Sequence, residues 1–423
     1  MSSSHRILLI NQYAGSPRDG MEFRPHILAC EWQATGHEVL IVAGAPSHVR
    51  ARNPELARRV SREVVDGVEF EWLRLPRYDG NGARRAANIL AFAAQLRARS
   101  RALADDFRPD VVIASSTHPL DIYGARAAAR RSGARLVFEV HDLWPLTPVE
   151  LGGMSPRHPF VRLMARAERD ACSSADTVVS ILPAADRHLV TCGMPLERFV
   201  HVPNGISIAE ADAGEPLPAE QGELASSLRA EGRFLVGYAG GIGLANAIDD
   251  LISAAGRLRD APVAFLIWGD GPERAAVERQ AAEAGLASVH FLGRIPKRAV
   301  RAALEACDAL YLGWKRRSIY RFGVSPNKLF DYMAAARPIL HATSAPADPV
   351  AECECGISVE AEDPGALATA IARLAALPAE ERSELGARGR RRAEEHHDYR
   401  ILAAKLLDAV APSERASREP VGV

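Results

Sequence analysis

The stretch GVSPNKLFDYMAAARPIL, residues 323–340, combines a Ser-Pro turn, an apolar helical pattern and the beginning of a short β-branched run. Ser325 and Pro326 are residue types that begin helices, the first as the cap and the second just inside it. The backbone N–H groups of Asn327 and Lys328 would then lie at the positive end of the helix dipole. The stretch therefore predicts a helix that leads into a strand, with an anion-binding position at its start.

The same alternation of apolar runs and helical patterns extends along the chain. In the first half, we predict strands at RILLI, VLIVAG, DVVIASS, RLVFEV, DTVVSI and RFVHVPNGI. In the second half, we predict them at FLVGYAG, VAFLIWG, VHFLG, ALYLG, PILHA and GISVE. Continuous apolar strands separated by helices indicate parallel sheets that are covered on both faces. The sequence therefore predicts an α/β fold with two similar halves and a cleft between them, where ligands bind at the carboxyl ends of strands.

An acidic, Pro-rich interval separates the two halves. It covers residues 209–223 and predicts a linker or an exposed excursion. We expect an N-terminal domain over 1–207 and a C-terminal domain over 208–388. A C-terminal helix over 389–411 would pack back towards the first domain, and residues 412–423 would form a flexible tail.

The composition indicates a globular protein. Of the 423 residues, 48% are hydrophobic and 25% are charged, and the net charge of −1 gives no indication of nucleic-acid binding. No apolar run reaches the roughly 18 residues of a transmembrane helix, and the first residues lack the pattern of a secretory signal. We expect a cytoplasmic protein without a nucleic-acid partner.

The six cysteines are scattered along the chain. Cys353 and Cys355 are separated by one residue and lack the second pair that would complete a zinc site. We therefore expect reduced thiols that behave as small apolar residues, and no metal ligands.

Glycines follow several predicted strands of the second half. Gly240 and Gly241 follow LVGYA, Gly269 and Gly271 follow FLIW, and Gly293 follows VHFL. Glycine permits a tight turn or the close approach of backbone to a ligand, and a turn alone explains any single case. Because parallel strands end at one edge of a sheet, we expect these loops to converge with the start of the predicted helix.

Several motifs accompany these features in a fixed order. They are VHDLWP (140–145), VPNGI (202–206), GDGPE (269–273), FLGRIP (291–296) and SPNKLFDYMAAARPIL (325–340). With them, the chain resembles the family-4 retaining glycosyltransferases, whose GT-B fold has two Rossmann-like domains facing a central cleft. The segments NQYAGSPRDGMEFRP and SPNKLFDYMAA most resemble the branch that includes amino-sugar transferases of bacterial O-antigen and capsule assembly.

The resemblance implies an acceptor-side N-terminal domain and a nucleotide-sugar site in the C-terminal domain. The N–H groups of Asn327 and Lys328 would bind the donor diphosphate and stabilise the charge that develops on it. Asp331 would accept hydrogen bonds from the ribose, although an Asp near a helix N-terminus also has a purely structural explanation. Backbone around Arg294 and Ile295 would contact the base. The implied donor contacts are Gly20, Gly240, Gly241, Gly269, Gly271, Arg294, Ile295, Ser325, Pro326, Asn327, Lys328 and Asp331.

The chain departs from the family pattern at two places. Gly323 stands where the family has the first Glu of a Glu-(seven residues)-Glu pair, so recognition of the sugar must come from elsewhere. Gly241 and Asn246 stand where many members have an Arg and a Lys that face the phosphates. Lys328 and Arg294 are candidates to replace that charge. Further candidates form a basic cluster that a solvated surface also explains: Lys315, Arg316, Arg317 and Arg321.

In the N-terminal half, the resemblance places His141 beside the donor sugar, although a His at a strand end also has structural roles. Strand alternation puts Glu139 on the same side as His141, and either Glu139 or Asp142 would orient the ring. The implied catalytic residues are His141, Asn327 and Lys328. The expected acceptor or sugar contacts are Glu22, Arg24, Asp142 and Gly323, with Gly20 as a position of close approach.

Five Arg and no acid lie between Arg84 and Arg101, among apolar residues at helical spacing. A basic amphipathic helix lies on an anionic membrane surface in some proteins, and packs on a sheet with a charged outer face in others. Both alternatives stay open, and the first would give a peripheral contact with the inner face of the membrane.

The resemblance implies a retaining transferase that moves a sugar from a nucleoside diphosphate, expected to be UDP, to an acceptor hydroxyl. The branch suggests an N-acetylated amino sugar and a role in polysaccharide or glycoconjugate assembly. The chain has no Asp-x-Asp motif to hold a divalent cation, so we expect no metal or other cofactor. A glycan, a lipid-linked glycan and a small metabolite stay open as acceptors, and the oligomeric state is not predicted.

Two other functions fit the same architecture. A sugar-nucleotide epimerase would convert its donor without an acceptor, but it would need acid and base carboxylates around the sugar, and Gly323 lacks one. A non-catalytic partner subunit would explain the absent basic residues at positions 241 and 246. The presence of His141 and Asp331 argues against a non-catalytic subunit.

Overall fold

The chain forms two compact units in the computed structural model. The described residues are 4–20, 24–78, 80 and 82–411. The first unit contains the residues up to Pro203 and those from Tyr399 onward, and the second contains Asn204–Asp398. The first boundary therefore lies close to the expected residue 207, whereas the second unit continues beyond residue 388.

The first unit is built on an eight-stranded sheet. Its strands are β1 (Arg6–Ile10), β2 (Glu38–Ala45), β3 (Val60–Val65), β4 (Val68–Arg74), β5 (Val111–Ala114), β6 (Arg135–Val140), β7 (Thr177–Ser180) and β8 (Phe199–His201). Their order is β3-β4-β2-β1-β5-β6-β7-β8, and neighbours are parallel except for the antiparallel pair β3 and β4. Every position of β5 and β7 is buried, as in strands that are covered on both faces.

The hairpin of β3 and β4 was not among the predicted strands. Its turn is formed by Asp66 and Gly67, which have φ angles of 48° and 85°. Positive φ at both central residues is typical of the tight turns that join antiparallel strands, and Asp-Gly is a sequence that favours them. β3 lies at the edge of the sheet and is half exposed, so its pattern lacks the continuous apolar run of the other strands.

Helices lie between the strands of the first unit. They are α1 (Arg24–Ala34), α2 (Ala83–Phe107), α3 (Ile122–Ser132), α4 (Leu146–Glu150), α5 (Pro159–Ser174) and α6 (Asp186–Leu189). α2 contains the basic stretch, and its apolar residues Ile89, Phe92, Leu96 and Leu103 are buried in the unit. These four side chains pack within the unit, as the packed-helix alternative expects, whereas Leu90 of the same helix is 42% exposed. A peripheral contact of this helix with a membrane stays a prediction.

The second unit has a six-stranded, all-parallel sheet. Its strands are β9 (Phe234–Ala239), β10 (Val263–Trp268), β11 (Val289–Gly293), β12 (Ala309–Gly313), β13 (Ile339–Ala342) and β14 (Gly356–Val359), in the order β11-β10-β9-β12-β13-β14. All six predicted strands are confirmed. Two separate apolar clusters contain residues of this sheet, and they form the core of the unit.

Helices of the second unit follow the same alternation. They are α7 (Ile208–Asp212), α8 (Ala219–Ala230), α9 (Ile248–Arg257), α10 (Arg274–Glu283), α11 (Val300–Glu305), α12 (Asn327–Ala334), α13 (Pro349–Glu352), α14 (Pro364–Ala376) and α15 (Ala379–His396). α7 and the start of α8 occupy part of the interval predicted as a linker. Short 3-10 turns cover Pro119–Asp121, Val190–Cys192, Leu196–Arg198, Leu244–Asn246, Lys297–Ala299 and Ser318–Phe322.

The prediction of one helix over 389–411 is wrong. α15 ends at His396, and a separate helix, α16 (Tyr399–Val410), belongs to the first unit. The break occurs because Asp398 forms a β-bridge with Ile206, whose N–H also donates to the His397 carbonyl at 2.9 Å. The predicted tail over 412–423 lies outside the described residues. Within the described part of the chain, no helix has both the length and the apolarity needed to cross a bilayer.

Candidate active site

The glycine loops after β9, β10 and β11 contact one another at the carboxyl edge of the second sheet. Gly269 donates its N–H to the Gly293 carbonyl at 2.7 Å. A Cβ on Gly269 would lie 1.8 Å from the Gly240 carbonyl oxygen, and a Cβ on Gly271 would lie 2.3 Å from the Ile242 carbonyl oxygen. Both distances are far below van der Waals contact, so the packing of the loops requires glycine. The predicted convergence of these loops is confirmed.

α12 begins one residue later than the sequence predicts. Pro326 is its N-cap residue, and the helix begins at Asn327. The hydroxyl of Ser325 accepts a hydrogen bond from the Asn204 N–H at 3.0 Å, and the Ser325 carbonyl accepts one from the Asn204 amide at 2.7 Å. The expectation that Ser325 caps the helix is therefore wrong. The N–H groups of Asn327 and Lys328 lie in the first turn, where an α-helix supplies no acceptor of its own.

The Lys328 side chain extends from α12 to the loop that follows β9. Its ammonium donates to the Tyr238 hydroxyl at 2.9 Å, lies 5.0 Å from the centre of the Tyr238 ring, and donates to Asn246 Oδ1. A Cβ on Gly240 would lie 2.5 Å from Lys328 Cδ. Burial lowers the pKa of Lys328 to about 8. Asn246 is one of the two positions at which the expected basic pair is absent, and it now holds the ammonium of Lys328.

Asp331 lies on the same helix, and its carboxylate binds a cation that the sequence did not single out. Lys297 Nζ lies 2.7 Å from both carboxylate oxygens of Asp331. Lys297 directly follows the FLGRIP motif after β11. Lys297 could have been recognised from this position, because the loop after β11 lies at the same edge of the sheet as the loops after β9 and β10. The Asp331 carboxylate and the Lys297 ammonium therefore lie together beside the first turns of α12.

Three of the other predicted cations, Lys315, Arg294 and Arg316, are paired with acids. Arg317 and Arg321 donate to the backbone carbonyls of Arg316 and Ser318. Lys315 donates to Asp249 at 2.6 Å and to Asp250 at 3.0 Å. The Arg294 side chain is 78% exposed, and its Nε lies 3.2 Å from Asp270 Oδ2. These carboxylates offset the positive charge of Lys315 and Arg294, whereas Lys328 contacts a neutral phenol and a neutral amide. Of the candidates to replace the absent basic pair, Lys328 therefore fits best.

In the first unit, His141 follows β6 and forms a cluster with Glu139 and Ser115. The Ser115 hydroxyl donates to Glu139 Oε2 at 2.6 Å and lies 2.9 Å from His141 Nε2. His141 Nε2 lies 3.2 Å from the same carboxylate oxygen. The prediction that Glu139 lies on the side of His141 is confirmed. Ser115 was missed, although it directly follows β5, the neighbour of β6 in the sheet.

Arg24 has a different role from the predicted ligand contact. Its guanidinium is 4% exposed and lies 2.9 Å from Glu139, which is 1% exposed. It also donates to the carbonyls of Val202 at 3.0 Å and Pro203 at 2.7 Å. The prediction of a sugar or acceptor contact is wrong, because these internal acceptors engage a buried side chain. Burial raises the pKa of Glu139, but the charges of Arg24 and His141 outweigh it and hold that pKa well below its ordinary value.

The remaining predicted contacts have mixed outcomes. Asp142 accepts hydrogen bonds from Thr147 Oγ1 at 2.5 Å and Trp144 Nε1 at 3.2 Å, and burial raises its pKa. Gly20 has a φ of 78°, and a Cβ there would lie 2.9 Å from Ala51 Cβ, so its turn explains the glycine. Glu22 lies outside the described residues.

Gly323 ends the 3-10 turn that precedes α12. Its φ of 89° is a conformation that an L side chain rarely adopts. A Glu at this position would strain the backbone. The structure thus gives a local reason for the absence of the first Glu of the family's pair.

The sequence models of two glycosyltransferase families match the chain. "Glycosyl transferase 4-like domain" matches residues 19–205, and "Glycosyl transferases group 1" matches residues 233–376. Together they match more than three quarters of the chain. The chain is a family-4 glycosyltransferase with the GT-B fold. In this glycosyltransferase, the His141 cluster lies in the first matched domain, and the glycine loops and α12 lie in the second.

Curated relatives agree with this family, and a solved structure has the same fold. WcaI of Escherichia coli (strain K12), which has the provisional name of a colanic acid biosynthesis glycosyl transferase, is 27% identical over 82% of this chain and 87% of its own. WbjE of Pseudomonas aeruginosa, provisionally named a glycosyltransferase, is 25% identical over 82% and 86%. The structure of Anabaena Alr3699/HepE in complex with UDP and glucose has 15% identity and a TM-score of 0.66 over 97% of this chain and all of that one.

Proposed function

We propose that this glycosyltransferase moves a sugar from UDP to an acceptor hydroxyl with retention of configuration at the anomeric carbon. The observation that carries the proposal is the group at the start of α12: two N–H groups of the first turn, the Lys328 ammonium and the Asp331 carboxylate. The N–H dipoles and the ammonium suit a diphosphate, and the carboxylate suits the ribose hydroxyls. The loops around Arg294 and Ile295 would contact the base through backbone atoms.

Three further observations support the proposed donor and the proposed biological role. Alr3699/HepE has the same fold, and its crystal structure is a complex with UDP and glucose. The name of WcaI refers to colanic acid biosynthesis, which supports a role in polysaccharide or glycoconjugate assembly. Resemblance to the amino-sugar branch supports an N-acetylated amino sugar as the transferred group.

The proposed reaction forms a bond between the acceptor oxygen and the anomeric carbon on the face from which UDP departs. The bond from that carbon to the phosphate oxygen breaks, and its electron pair leaves with UDP. The departing phosphate oxygen takes the proton of the acceptor hydroxyl. Asn327 and Lys328 stabilise the leaving negative charge. His141, which contacts Glu139 and Ser115, stabilises the positive charge on the sugar or contacts its hydroxyls.

The positive groups at the start of α12 would perform the work that a divalent cation does in metal-dependent transferases. We therefore propose that catalysis needs no metal. The rate should be unchanged in EDTA. A rate that is lost in EDTA and restored by Mg²⁺ or Mn²⁺ would contradict this part of the proposal.

The test is incubation of the chain with UDP-N-acetylglucosamine, UDP-N-acetylgalactosamine and UDP-glucose, with and without a panel of glycoside and lipid-linked glycan acceptors. We expect release of UDP that depends on an acceptor, and a new linkage with the anomeric configuration of the donor by nuclear magnetic resonance. His141→Ala should abolish the release. Conversion of a donor without any acceptor would instead indicate an epimerase, and UDP release that is equal in His141→Ala would contradict the assigned role of His141.

A further inference from the structure

A second cluster of chemically reactive side chains lies in the first unit, away from the residues used above. Glu168 and Cys172 are four residues apart on α5. His188 and Cys192 are four residues apart on α6 and the 3-10 turn Val190–Cys192 that follows it. A spacing of four places two side chains on one face of a helix, so each segment presents a pair of potential ligands.

The two pairs meet. His188 Nε2 lies 2.9 Å from Glu168 Oε1, and Cys192 Sγ lies 3.4 Å from Glu168 Oε2 and 3.5 Å from His188 Nε2. Glu168, His188 and Cys192 each offer one ligand atom, and these three atoms all lie within 4.8 Å of one another. Glu168 is buried, whereas His188 and Cys192 are partly exposed.

These distances suit a tetrahedral ion. Zinc binds sulfur at about 2.3 Å and nitrogen or oxygen at about 2.0–2.2 Å, which puts neighbouring ligand atoms of a tetrahedron roughly 3.3–3.6 Å apart. The distances from Cys192 Sγ to His188 Nε2 and to Glu168 Oε2 already have this value. His188 Nε2 lies 2.9 Å from the other carboxylate oxygen, Oε1, so a small rotation of the Glu168 carboxylate would adjust the ligand set to one ion. We propose that Glu168, His188 and Cys192 bind a Zn²⁺ ion that links α5 to the segment 186–192.

The ligand types select the class of metal. A thiolate and an imidazole favour zinc and similar transition metals, whereas Mg²⁺ and Ca²⁺ prefer oxygen ligands. Cys172 is fully buried and lies one turn from Glu168 on α5. It is not one of the three proposed ligands. The proposal departs at Cys192 from the expectation that the cysteines are reduced thiols that behave as small apolar residues.

The test is a titration of the full chain with Co²⁺, after removal of bound metal and in a non-thiol reductant. We expect one Co²⁺ per chain, with the near-ultraviolet charge-transfer band of a thiolate ligand, and loss of that band when Zn²⁺ is added. Zn²⁺ should also raise the midpoint of thermal unfolding. Cys192→Ala and His188→Gln should lose the band, with folding checked by circular dichroism.

Two further variants make the assignment specific. Cys172→Ala should keep the band, because it leaves the three proposed ligands in place. Cys353→Ala, in the second unit, should bind as the wild type does. Absence of the band in reduced wild type, or a band that survives Cys192→Ala and disappears in Cys353→Ala, would overturn the proposal.

Discussion

In the proposed diphosphate site, Lys328 would supply the positive charge, and its protonation would set the affinity for UDP. Burial lowers the pKa of Lys328 to about 8, so the free protein loses this charge as the pH rises through that value. Bound UDP favours the charged form and raises the pKa in the complex. UDP affinity should therefore begin to fall as the pH rises above about 7, and above pH 8 it should fall by up to about tenfold per pH unit.

Calorimetry of UDP binding between about pH 7.5 and 9.5 measures this dependence, because phosphate with a second pKa of about 6 stays ionised throughout. Lys328→Met is the control: its affinity should be lower at every pH and should not vary with pH. A wild-type affinity that is equally flat would show that the Lys328 ammonium does not contact the diphosphate.

At the scale of single residues, the sequence located Asp331 and Lys328 because both lie within one continuous motif. The residues that contact the predicted site residues could not be identified from the sequence. Lys297 reaches Asp331 from 34 positions away along the chain, and Ser115 reaches Glu139 from the neighbouring strand. Such pairs depend on the order of strands in the sheet, which a single sequence does not state. Arg24 was misassigned for the same reason, because its partner Glu139 is 115 positions away.

At the scale of elements, the buried pair of Arg24 and Glu139 joins α1 to β6. Removing one partner would leave the other charge buried and uncompensated. Arg24→Ala should therefore lower the free energy of unfolding by about 3–5 kcal/mol. Urea denaturation monitored by circular dichroism measures the change.

Arg131→Ala is a matched control, since it breaks an ion pair with Asp105 in which both side chains are over 40% exposed. It should leave the free energy of unfolding almost unchanged. Equal stability of wild type and Arg24→Ala would mean that Glu139 finds another partner. Arg24 would then not be the residue that holds Glu139 beside His141.

The central strands were predictable because a run of buried β-branched residues is a strong local signal. The edge hairpin of β3 and β4 was less visible, because half-exposed strands resemble loops in composition. Asp66-Gly67 was its clearest signal. α12 begins one residue later than predicted, and the Ser325 hydroxyl, the expected cap, instead accepts a hydrogen bond from Asn204 in a distant segment of the chain.

At the scale of the whole molecule, the chain returns to its first unit through α16. Leu402, Leu406 and Val410 are buried in the core of that unit, and Trp32 Nε1 donates to the Ala403 carbonyl at 2.9 Å. The sequence predicted this return, but not the break before it. The helical pattern continues across His397 and Asp398, and only the β-bridge to Ile206 interrupts it.

The contribution of α16 is testable with two substitutions on the same helix. Leu406→Ala should destabilise the first unit by about 2–5 kcal/mol, because it removes a fully buried side chain. Ile401→Ala should have little effect, since Ile401 is 40% exposed. Thermal unfolding followed by calorimetry compares the two. Equal midpoints would mean that α16 does not contribute to the core of the unit.

We propose above all that α12 and its neighbouring loops form a donor site for UDP. The most direct test is titration calorimetry of UDP, GDP, dTDP and ADP in EDTA, with wild type, Asp331→Ala and, as a control, Asp260→Ala at an exposed position. We predict saturable binding of UDP that Asp331→Ala weakens by about 1.5–3 kcal/mol, or roughly 10–100-fold, and that Asp260→Ala leaves unchanged. Binding of no nucleotide, or equal binding of UDP by wild type and Asp331→Ala, would contradict it.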